Sequence, residues 1–206
     1  MVNSGHGGFD GGAEASDGTK EKDINLIIAG RLREFLQFGG FEVIMTRKTD
    51  TGTEENSDDT IGKRKVSDMK NRLEIINSNT DAVFVSVHLN KFTTSSAKGA
   101  QVFYSPNNEL SLNLAESLQK SIAVTLQKEN TRTVKKADKS IYLLKNATIP
   151  AVIVECGFLS NPEELSLLKN PDYQDKMAFS IYCGIMEYYN TGVKNGYENQ
   201  NGIYMQ

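Results

Sequence analysis

Cysteine is scarce in this chain: two among 206 residues, Cys156 and Cys183. Two thiols cannot build the network of bridges on which small secreted scaffolds rely. Each lies among apolar neighbours, which suggests reduced, buried side chains. A membrane-crossing helix is excluded as well, because no stretch reaches the ~18 consecutive apolar residues it would need. Basic excess is also missing. Twenty-three Lys and Arg against 26 Asp and Glu leave a formal net charge of −3, without the electrostatic signature of a nucleic-acid or anionic-lipid binder. Histidine is as rare as cysteine, with only His6 and His88, so each position draws attention.

With 38% hydrophobic and 24% charged residues, the composition is that of a globular chain and not a disordered one. Its length suits one domain. Met1-Val2 runs straight into Asn3-Ser4-Gly5-His6, leaving no room for a full strand before the glycine turn. Residues upstream, with any export signal, are therefore expected to be missing.

Strand-like and helix-like segments alternate. Short β-branched runs fall at 41–46, 82–88, 100–104 and 151–155. Helical spacing of apolar residues falls at 21–38, 69–78, 109–128 and 171–190. Gly39-Gly40 stops the first helix. The alternation predicts a single α/β domain with a parallel or mixed sheet covered by helices. Residues 47–68 are polar and read as a long surface loop, more solvated than lid-like. Residues 191–206 lack periodicity and read as a tail following a unit of residues 1–190.

His6 stands in a glycine-rich turn after a strand remnant, and His88 ends a strand in Ser86-Val87-His88-Leu89-Asn90. Ligand sites in open α/β sheets gather at the carboxyl ends of strands, so the two imidazoles are expected on one rim. A catalytic metal site would need a third ligand. Glu21, opening the first long helix, is ordinary on its own, since an acid in a first turn complements the helix dipole. Glu155 is less ordinary. A carboxylate ending the apolar run Ala151-Val152-Ile153-Val154 is costly unless it is paired or at the mouth of a site. Its neighbour Cys156 should face the opposite side.

Taken together, Ser4-Gly5-His6-Gly7-Gly8, Glu21-Lys22-Asp23, Thr46-Arg47 with Asp50, Arg72 with Asn77, Ser86-Val87-His88-Leu89-Asn90 and Val154-Glu155-Cys156-Gly157-Phe158-Leu159-Ser160-Asn161 resemble the zinc-dependent N-acetylmuramoyl-L-alanine amidases, type 3 catalytic domain. The likeness covers about residues 1–190. It implies Zn2+ ligands at His6, Glu21 and His88, with Glu155 as the catalytic carboxylate. It also implies a twisted, mostly parallel mixed sheet flanked by helices, like that of the zinc exopeptidases (phosphorylase/hydrolase-like). The substrate implied is peptidoglycan, cut at the amide joining the lactyl group of muramic acid to L-alanine. The family usually carries Asp-Pro-Gly-His-Gly-Gly where this chain has Asn3-Ser4-Gly5-His6-Gly7-Gly8. Asn3 would then hydrogen-bond behind the ligands without a charge, and Asn90 and Arg72 are further candidates for supporting or substrate-binding roles. A bare domain of this kind resembles the amidases of spore formers that strip stem peptides from cortex for muramic-δ-lactam formation. Such an enzyme acts outside the cytoplasm, and an envelope protein partner is a further expectation.

Three other readings stay open at this level. A cysteine hydrolase would pair Cys156 with an imidazole. A catalytically weak wall- or protein-binding module would keep a partly occupied metal site. A carboxypeptidase would need an arginine for a terminal carboxylate, for which Arg47 and Arg72 are available.

Overall fold

The computed structural model describes residues 1–54 and 59–191; the expected tail, from residue 192 on, lies outside them. In chain order the elements are β1 (Val2–Ser4), α1 (Glu21–Phe38), α2 (Ile61–Asn77), β2 (Phe84–Asn90), β3 (Gln101–Tyr104), α3 (Leu110–Thr125), β4 (Lys135–Lys136), α4 (Tyr142–Asn146), β5 (Ala151–Phe158), α5 (Pro162–Leu168) and α6 (Pro171–Asn190). The sheet runs β1-β2-β5-β3-β4. All pairs are parallel except β3 with β5, which is antiparallel. This is the mixed, mostly parallel sheet that alternating elements lead one to expect.

Side-chain alternation along the strands sorts the molecule into three layers. Val85, Val87, Val102, Val152, Val154 and Cys156 face one side, against α1, α3 and α6. Phe84, Ala151 and Ile153 face the other, against Ile76 of α2 and Leu143 and Leu144 of α4. With helices on both faces, the central strands have no solvent side, which explains their unbroken apolar runs. The same alternation puts Ser86, His88, Ile153 and Glu155 on the α2–α4 face. Cys156 lies on the opposite face and is fully buried.

Three local expectations need correction. Helix α2 starts at Ile61, not at residue 69. Its buried stripe is Asp68, Arg72 and Ile76, spaced four apart as a helix requires. Two of the three are charged and paired with each other, so no apolar periodicity marks its first half. The segment 41–46 forms no strand of the sheet. It makes one parallel bridge, Val2 to Met45, with bonds from Val2 N to Ile44 O and from Thr46 N to Val2 O, because three-residue β1 offers so little to pair with. Cys183 is half-buried, not fully buried.

The loop before α2 is also not merely solvated. Thr53 donates through its amide and hydroxyl to the Asp68 carboxylate. Asp50 accepts from Gly8 N and from Lys22 Nζ, and Thr51 O lies where a Cβ on Gly7 would stand. The loop thus covers the glycine turn that carries His6.

Helices α3 and α6 cross closely at Gly184. A Cβ built there would come 2.8 Å from Leu118 Cα and 3.1 Å from Ser117 O, both backbone atoms that cannot swing aside. We expect Gly184→Ala to destabilise the fold by roughly 1–3 kcal/mol, as overpacking typically does. Urea unfolding that leaves the midpoint unchanged would contradict this contact.

Candidate active site

His6 occupies a backbone conformation that side chains seldom adopt, with φ of +59°, and such strain persists only where surroundings over-determine it. The surroundings here are two buried arginines. Arg72 donates to His6 O at 2.9 Å, to Ser4 O at 3.0 Å and to Asn3 Oδ1 at 2.6 Å, while Asp68 holds its Nε at 2.7 Å. Arg47 donates to Ser4 O, Gly5 O, Lys22 O and Thr49 O. Every carbonyl from Ser4 to His6 is therefore fixed by a guanidinium. The arginines are 4% and 1% exposed, so neither is available to a substrate carboxylate, and the carboxypeptidase reading loses its anchor.

Asn3 belongs to the same network. Its Nδ2 donates to Ser86 Oγ at 2.6 Å, and its Oδ1 accepts from Thr46 Oγ1 and Arg72. The neutral amide both donates and accepts, which a carboxylate could not do. Asn90 is placed differently. It ends β2 where the register with β5 shifts, its carbonyl accepts from Leu159 N, and it does not line the cleft beside the imidazoles.

Glu21 opens α1 and is only 3% exposed. One carboxylate oxygen accepts from Asn25 Nδ2, Leu89 N and His88 Nδ1 (3.0 Å); the other accepts from Ala13 N and faces His6 Nε2 at 3.3 Å. The imidazole rings meet edge to face with centroids 5.1 Å apart. Close approach is possible because Gly5 has no side chain: a Cβ there would lie 2.3 Å from the His88 ring. One ligand atom from each of His6, Glu21 and His88 lies within 4.8 Å of the others, so the three could hold one metal ion.

Two groups that the sequence did not single out support them. Asp10 Oδ2 sits 2.8 Å from His6 Nδ1, leaving Nε2 to face Glu21, the carboxylate–imidazole arrangement that orients a metal-binding histidine. Asn25 lies one turn after Glu21 and braces both its carboxylate and Gly5 O. A pair four apart on a helix is a signal in the sequence, but its polar partner is not. Burial works against a charged His6, yet the bonds and charges of Asp10 and Glu21 prevail and raise it to about 9.

Glu155 is the parallel-register partner of His88 on the next strand. Its Oε2 is shielded from solvent and has no hydrogen-bond partner. Burial, only partly opposed by the His88 charge, pushes the carboxyl up to about 7. An orphaned buried acceptor beside two imidazoles and a carboxylate is the place for a missing partner, whether cation, water or substrate. Beside it opens a cavity of about 310 Å³ lined by His6, Asp10, His88, Ile141, Tyr142 and Ile153, among others. Cys156 points away, and burial pushes its thiol up, against any role as a thiolate.

The profile of the N-acetylmuramoyl-L-alanine amidase family matches residues 1–187. The chain belongs to that family. It is 40% identical over 188 residues to the germination-specific N-acetylmuramoyl-L-alanine amidase of Bacillus subtilis, covering 91% of this chain and 78% of that protein. The similarity to the amidase LytC of the same organism is 31%, over 92% of this chain but 35% of LytC. Among solved structures, the CwlD amidase of Clostridioides difficile, determined in complex with the GerS lipoprotein, superposes with a TM-score of 0.89 at 42% identity, over 92% of this chain and 97% of that one. The amidase AmiC2 of Nostoc punctiforme gives a TM-score of 0.78 at 28% identity, over 92% and 95%. The family fold thus extends over 92% of this chain.

Asp10 and Glu21 raise the proton affinity of His6, so any cation taken up by the donors of His6, Glu21 and His88 near neutrality would have to compete with that proton. We expect apparent metal affinity to climb with pH, by up to about tenfold per unit, and to level off near 9. Competition titrations with a chelator at several pH values would show this; an affinity flat across the range would exclude His6 from the ligand set.

Proposed function

We propose that this amidase is a zinc hydrolase acting outside the cytoplasm on spore-cortex peptidoglycan, with His6, Glu21 and His88 as ligands and Glu155 as general base. The observation that carries the reading is the convergence of two imidazoles and a buried carboxylate, with the unpartnered Glu155 next to them on the adjoining strand. Nitrogen and carboxylate donors suit zinc, and three protein ligands leave a place open for chemistry. When bound, the cation would polarise the amide carbonyl and make water a stronger acid. Residues 1–190 are taken as the catalytic unit.

The protein's part is proton handling and positioning. Glu155 accepts a proton from the attacking water and delivers it to the departing L-alanine nitrogen. Its raised proton affinity suits a group that must both take and return a proton near neutrality. Asp10 and Asn25 keep His6 and Glu21 aimed, and the arginine pair keeps the His6 turn from relaxing. The cleft lined by Tyr142 and Ile153 offers an apolar wall to the muramoyl peptide.

The cortex assignment draws on the likeness to the germination-specific relative. The complex of CwlD with a lipoprotein supports an envelope protein as partner for this chain too. Among the described residues no helix is long and apolar enough to cross a membrane.

Replacing Glu155 with Gln should lower turnover of purified cortex peptidoglycan to below a few per cent while leaving bound zinc near wild type. Activity comparable to wild type would remove Glu155 from the mechanism. His88→Ala should instead lose the metal, read by elemental analysis, and full zinc stoichiometry in that variant would take His88 out of the ligand set.

A further inference from the structure

The cavity beside the imidazoles lies on the face of the sheet that carries His88 and Glu155, between α2 and the turn leading into α4. Two acids line it, Asp10 and Asp68, and two bases, Lys65 and Arg72. They pair with one another. Lys65 Nζ lies 3.1 Å from Asp10 Oδ1, and Arg72 Nε lies 2.7 Å from Asp68 Oδ2. Asn3 is bonded to Ser86, Thr46 and Arg72, and Ser140 Oγ donates to Asp138. Among the described residues, every buried side-chain polar atom without a partner belongs to a residue outside this lining. The carboxylate of Glu155 is one of those atoms, so the neighbouring cavity differs from it in kind.

What remains to face the space is apolar: Phe9, Met69, Ile141, Tyr142, Leu143 and Ile153. Phe9 is held by the Arg64 guanidinium, 3.9 Å from its ring centroid. Met69 and Ile141 pack against the core cluster around Ile76 and Phe84. A charged group entering here would give up water without gaining a free partner, whereas an apolar one gains by burial. The space is also roomy. At about 310 Å³ it is roughly twice the size of a cavity of ~150 Å³ that accepts benzene, far beyond the needs of one methyl group.

The amide that muramoyl-L-alanine amidases cleave carries a methyl on each flank, one from the lactyl group and one from L-alanine. We propose that this cavity receives the apolar group on one of those flanks and selects it for lack of charge, not for small size. The inference rests on the reading of His6, Glu21, His88 and Glu155 as the reaction centre, because that reading brings the scissile amide to the cavity. Met69 of α2 and Ile141 before α4 are then specificity-determining residues. A pocket that exceeds a methyl by this margin does not reject a larger apolar group, but paired lining charges leave nothing to answer a carboxylate.

The test uses the zinc-loaded full chain and two series of muramoyl peptides on a short glycan, with the released ends read by mass spectrometry. In one series L-alanine gives way to L-leucine or L-aspartate. In the other the lactyl methyl gives way to the same two side groups, isobutyl or carboxymethyl. On one flank isobutyl should keep kcat/KM within about threefold of the parent, while carboxymethyl lowers it about 10–100-fold through KM. That flank is the one seated in the cavity. There Met69→Trp should lower kcat/KM for isobutyl relative to methyl by about tenfold, with zinc content as in wild type. Ile141→Phe, which narrows the space from another element, should act in the same direction and carries the comparison if Met69→Trp does not fold. Rejection of isobutyl on both flanks would overturn the proposal. So would carboxymethyl accepted wherever isobutyl is, or folded variants that treat both sizes alike. A wild type that leaves the parent peptide uncut would overturn the amidase mechanism itself, and this inference with it.

Discussion

The site is organised around one buried carboxylate. Glu21 has an imidazole against each oxygen and backbone or amide donors on the remaining positions. Such a group can be buried only if its charge is answered. The answers come from three separate parts of the chain: the His6 turn after β1, the end of β2, and the first turn of α1. Meeting that demand fixes how these parts stand relative to one another. It accounts for Gly5, which yields its side-chain volume to the His88 ring, and for the strained His6 backbone.

The arginine pair serves the same end from below. Arg47 and Arg72 belong to different segments, yet both act on the carbonyls of Ser4, Gly5 and His6. Through Asp68 the pair reaches Thr53, and through Asp50 and Lys22 the covering loop is tied to Gly8. The polar region between residues 47 and 68 is thus part of the support for His6. A hydrogen-bonded interior of this sort is stiff when complete and intolerant of single losses, which keeps the His6 turn in its strained conformation.

Placed on this scaffold, His6 in the turn after β1, His88 near the end of β2 and Glu155 on β5 lie side by side along the rim of the sheet. Strand pairing sets the interval from His88 to Glu155, and the turn after β1 sets the position of His6.

Much of this was legible from residue order alone. The alternation of segments announced an α/β fold with helices on both faces of the sheet, and rare histidines beside glycine and a carboxylate ending an apolar strand pointed to residues that the fold brings together on one rim. The opposite orientations of Glu155 and Cys156 also followed from strand geometry. These features are local, and a period of two or of 3.6 residues expresses them along the chain. Asp10 as the partner of His6, the carbonyl clamp of Arg47 and Arg72 and the early start of α2 were decided only in three dimensions. Each depends on polar partners distant along the chain, or, for Asp10, on the reversal of the chain at Gly7 and Gly8. Polar pairing has no periodicity by which a sequence could display it; only the folded backbone brings donor and acceptor together.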